Sequence, residues 1–93
     1  MSDRQDHQDC MNRLISLANT MNEEGYNKNM LSAALMSASA VYATFVGAGN
    51  TGALEPSGVD KVVNLFRHNL EHIQNRKKED LLAASTEQTE TEQ

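Results

Sequence analysis

The sequence predicts an all-α fold: a three-helix bundle whose central helix is buried and whose core is completed by dimerisation. Three observations lead there. An uncharged run reaches from Asn29 to Leu54 and carries apolar residues at helical spacing. The segments on either side repeat apolar residues every three or four positions and begin with capping residues. No stretch alternates apolar and polar residues as a half-buried strand would.

The first helix is expected over about residues 3–24. Ser2 and Gln5 stand at the spacing of a capping box, in which the serine caps and the glutamine reaches back. Asp3 and Asp6 suit the positive end of the helix dipole. Cys10, Leu14, Leu17, Ala18 and Met21 then share one face, widened by Met11 and Ile15. So wide a face suggests more than one neighbour. Asp9 and Arg13 form an i, i+4 pair, and Gly25 is placed to stop the helix.

The central helix is expected over about residues 28–47, capped by Asn27 or Asn29. Leu31, Leu35, Ala38, Tyr42 and Phe45 form its main stripe, with Met30, Ala34 and Val41 beside it. Apolar or small residues surround most of its circumference, the mark of a buried helix. Ser32, Ser37 and Ser39 can bond back to the preceding turn and so tolerate burial. The run is also long enough to span roughly 30 Å of hydrocarbon, which leaves a single membrane span as the rival reading. Its serines, threonine and tyrosine, and the amphipathic segments that flank it, favour a soluble core.

The segment GAGNTGALEPSG, with four glycines and Pro56, is a loop. Ser57, with Asp60 three residues on, is read as the cap of a third helix over about residues 57–80. Val59, Val62, Val63, Phe66, Leu70 and Ile73 are expected to point to the core, and Arg67 and Glu71 to pair along the helix. Arg76, Lys77 and Lys78 suit the negative end of its dipole. The domain is placed at residues 1–83, and the acidic, low-complexity stretch 84–93 is read as a disordered tail.

Ninety-three residues make one small domain, and a core of this size is marginal on its own. Self-association is the expected remedy, with Leu35, Ala38, Tyr42 and Phe45 as the candidate interface. One cysteine excludes an internal disulfide, and Cys10 is expected to be a buried, inert thiol. The polar N-terminal stretch lacks the apolar region of a signal peptide, so a cytoplasmic location is expected. The net charge of −5 arises after Lys78; residues 1–78 hold eight acids and eight bases.

Several short patterns resemble catalytic motifs. His68, Glu71 and His72 spell H-x-x-E-H, which on a helix could present two histidines to a metal. They fall opposite the apolar stripe, and no third ligand or cleft is evident, so solvated histidines are expected and no metal or cofactor is assigned. Gly47, Gly49 and Gly52 spell G-x-G-x-x-G, but that fingerprint needs a strand before it and a helix opening from it. Here a helix precedes it and Pro56 interrupts, so a turn is expected. The basic run Arg76–Lys78 is followed at once by Glu79 and Asp80, which argues against nucleic acid. No nucleophile or carboxylate pair stands in a catalytic context, so binding is expected rather than catalysis.

Leu17-Ala18-Asn19, then a glycine-containing turn, then the run from Ser32 to Phe45 with its A-x-Y-x-x-F ending, together form a pattern. It resembles a family of small bacterial proteins known as domain of unknown function 3144. The resemblance covers residues 10–78 and includes a final helix with a phenylalanine and an apolar stripe, here VVNLFRHNLEHI. Val41 stands where that pattern has arginine, and Ala43 where it has asparagine. The resemblance implies a small helical bacterial protein and carries no activity. The functional expectation is therefore a cytoplasmic helical interaction module acting as a homodimer, open to a further protein partner. A metal protein or enzyme using His68 and His72, or a single-span membrane protein, stands as the alternative.

Overall fold

A computed structural model describes residues 2–91. Among them the chain forms three α-helices and no strand: α1 (Asp3–Glu23), α2 (Lys28–Ala48) and α3 (Pro56–Thr91). It divides into two units, Met1–Val46 and Gly47–Gln93.

In the first unit, α1 starts as the sequence dictates. The Gln5 amide donates to Ser2 Oγ at 3.2 Å, and the Ser2 amide donates to Gln5 Oε1 at 3.5 Å. This is the reciprocal capping box, which satisfies two amides that the helix cannot. The helix stops at Glu24, and Gly25 takes a left-handed φ of 118° that a side chain would oppose. The Tyr26 amide then donates to the Met21 carbonyl at 3.2 Å and the Gly25 amide to Asn22 at 3.1 Å. That pair of bonds is a Schellman motif. Asn22 Nδ2 donates to the Tyr26 carbonyl at 2.8 Å, tying the turn again.

Of the two candidate caps for α2, the structure selects Asn27. Its Oδ1 accepts from the Met30 amide at 2.8 Å, and its carbonyl accepts from Leu31 at 3.0 Å. In α2 the bond back to the preceding turn is made by Thr44, whose Oγ1 donates to the Ala40 carbonyl at 2.9 Å. Ser32, Ser37 and Ser39 are exposed.

The expected burial of the central helix is not found in the single chain. Leu31, at 8% exposure, is the one buried residue among those described, and the rest of α2 is open or half-covered. The covered positions of α1 are Met11, Ala18, Met21 and Asn22. They lie slightly around the helix from the stripe led by Cys10, and Cys10 is accordingly exposed rather than buried.

In the second unit, Gly49 turns the chain with a φ of 77°. Gly52 lies so close to the Ala48 carbonyl that a Cβ there would overlap it. Helix α3 begins one residue before the expected cap: Pro56 occupies its first position, where proline costs nothing. The Glu55 carbonyl accepts from Gly58 at 2.8 Å and Val59 at 3.0 Å. The helix also runs past 80 to Thr91, so residues 84–91 are helical rather than the expected disordered tail. No glycine or proline follows Gly58, and alanine, glutamate and glutamine favour continuation. The expectation for residues 92–93 lies outside the described residues. Val59, Val63, Phe66, Leu70 and Ile73, expected in a core, are exposed on α3.

Candidate interaction surface

The residues expected to form an interface sit on one face of α2. Leu35, Ala38, Tyr42 and Phe45 are spaced three, four and three residues apart, which keeps them in line on a helix. All are exposed, Phe45 by 42% and Tyr42 by 69%. Tyr42 and Phe45 meet edge to face, with ring centroids 5.8 Å apart and planes at 72°. This is the favoured geometry of an aromatic pair, and it sets the two rings as one raised apolar feature.

Leu14, Ile15 and Leu17 are also exposed on α1 and, in the second unit taken by itself, the α3 stripe is about half exposed at each position. Single exposed apolar residues are ordinary, whereas aligned rows of them mark contact surfaces.

The residues of the motif look-alikes take other places. His68 and His72 are exposed on α3, on the side away from Phe66 and Leu70. Among the described residues no group of three or more histidine, cysteine, aspartate or glutamate side chains converges for a metal. Gly47 is the penultimate residue of α2, with Leu54 Cδ2 occupying the space 2.6 Å from where its Cβ would be. The three glycines of the G-x-G-x-x-G pattern thus end a helix and shape a turn. No family model, curated protein or solved structure matches the chain.

Proposed function

We propose that the protein is a small cytoplasmic helical interaction module that works as a homodimer and acts by binding. The observation that carries this reading is the exposure of α2, a helix of 21 residues that carries no charge after Lys28 at its first position and buries only Leu31. A second copy supplies matching apolar stripes without a further gene product. In this reading Leu35, Ala38, Tyr42 and Phe45 belong to the contact, and kinship with domain of unknown function 3144 is part of the proposal.

One observation favours a second reading. By length and composition α2 could cross a membrane. Against it, α1 shares a unit with α2 and carries Asp6, Asp9 and Arg13. A span would draw those charges toward hydrocarbon at a cost of several kcal/mol.

Native mass spectrometry and fractionation of the detergent-free protein separate the two. A soluble species of twice the 10.3 kDa chain mass supports the module. A soluble monomer at all concentrations overturns it, and sedimentation with membranes supports the span.

A further inference from the structure

On α3, Val59, Val63, Phe66, Leu70 and Ile73 follow one another at intervals of four, three, four and three residues. That spacing is the 3.5-residue repeat of a coiled-coil seam, with Val63 and Leu70 at a, and Val59, Phe66 and Ile73 at d. Each of the five is between 46% and 52% exposed, an evenly open row on a continuous helix. The seam ends where Lys77 and Asp80 take the next a and d positions.

The charges beside the seam discriminate among the ways a second copy could be laid on it. In a parallel pair Lys77 meets Lys77 and Asp80 meets Asp80, while Glu55 at g lies against Asp60 at e of the other copy. All three contacts repel. In an antiparallel pair each a residue faces a d residue, e faces e, and g faces g. One register stacks Val59 on Leu70, Val63 on Phe66 and Pro56 on Ile73, each from both sides of the twofold axis. It also sets Asp60 against Arg67 and Glu55 against Arg76, again twice over. All four charged residues are exposed. Sliding by one heptad in either direction sets Arg67 against Arg67 or Asp60 against Asp60.

We propose that α3 is the self-recognition helix: two copies pair antiparallel along Pro56–Ile73, in the register that joins Asp60 to Arg67 and Glu55 to Arg76 of the other copy. This rests on the homodimer reading and adds to the α2 residues named there a second contact, on α3, with its orientation and register. The paired segment is about 27 Å long. Charge pairs at e and g add little affinity, but they set orientation by penalising the alternatives.

The test uses the full chain in a Cys10→Ser background, as two single variants, Val59→Cys and Leu70→Cys, oxidised alone and as a mixture. The expected result is a disulfide-linked dimer in the mixture, carrying one of each variant, with little from either alone. Linkage of each variant to itself signals a parallel pair and overturns the proposal. A dimer by native mass that links in neither case also overturns it, leaving the homodimer reading with another surface. A monomer overturns both. Charge reversal is a second measurement that leaves the apolar seam intact. Asp60→Arg and Arg67→Asp should each weaken the dimer about 3- to 10-fold, and together restore it to within about 2-fold. Absence of that restoration counts against the register.

Discussion

Tyr42 and Phe45 stand edge to face on the open side of α2, their centroids 5.8 Å apart. The two rings are already in contact in the single chain, so the proposed pairing would have less to order there. If α2 is in the contact, Tyr42→Ala or Phe45→Ala lowers dimer affinity about 5- to 30-fold, or ~1–2 kcal/mol. The double variant loses less than the sum, because the rings already touch. Tyr42→Phe changes affinity by no more than about 2-fold. Sedimentation equilibrium reads all four, and unchanged affinity in both alanine variants would remove this face from the interface.

Two glycines of the second unit should respond to alanine with opposite sign. At Gly52 the new methyl meets the Ala48 carbonyl, part of the backbone at the end of α2, and the turn must open. We expect a loss of about 1–3 kcal/mol. At Gly58, inside α3, the methyl would lie 3.5 Å from Leu54 Cβ, an ordinary contact, and it reduces the freedom of the unfolded chain. Gly58→Ala should gain about 0.4–1 kcal/mol. Thermal melting at one fixed protein concentration compares them, and equal effects would contradict the geometry.

The caps at Ser2 and Asn27 each hold one amide in a separate helix. Ser2→Ala and Asn27→Ala should cost about 0.5–2 kcal/mol apiece. Their bonds share no partner, so the losses should add to within about 0.5 kcal/mol. Chemical denaturation of the two single variants and the double checks this, and a marked shortfall would mean that the caps are coupled.

Leu31 is the most covered side chain of the described residues, at the first turn of α2. Leu31→Ala should cost about 2–3 kcal/mol. Leu35→Ala, one turn on and 44% exposed, should cost well under half of that in the monomer. A dilution series separates monomer stability from association: the Leu31 penalty persists on dilution, whereas any loss at Leu35 that comes from pairing fades. The reverse pattern would show that Leu31 is covered by another copy.

The parts of the fold legible in the sequence are those decided within a few residues. The Ser2–Gln5 box, the stop at Gly25 and the start of α2 depend on hydrogen bonds between near neighbours, and the residue types required stand side by side. Even locally, the start of α3 differs from the expected one by a residue. Ser57 is a good cap by type, but Pro56 fits only the first helical position, and that moves the cap to Glu55. At the far end of α3 the composition is tail-like, but the same alanines and glutamates extend a helix already under way, to Thr91. What the periodicity could not settle was who covers the stripes. A row such as Val59–Ile73 reads the same whether its partner is another helix of the chain or a second copy. The surface left open on α2 and α3 poses that question, and the charges flanking Val59–Ile73 bear on it.

The turn between α1 and α2 is closed by bonds that reach no further than five residues: Gly25 to Asn22, Tyr26 to Met21, Asn22 back to Tyr26, and Met30 to Asn27. Nothing distant is needed to build it. Connections of such short range form early, on the microsecond-to-millisecond scale of low-contact-order helical proteins. If the chain pairs as proposed, folding should divide into a first step indifferent to protein concentration, in which this corner sets, and a second-order step in which the open stripes find cover. Between the two steps the chain presents its apolar rows unguarded, and at that moment crowding by unrelated chains competes with correct assembly.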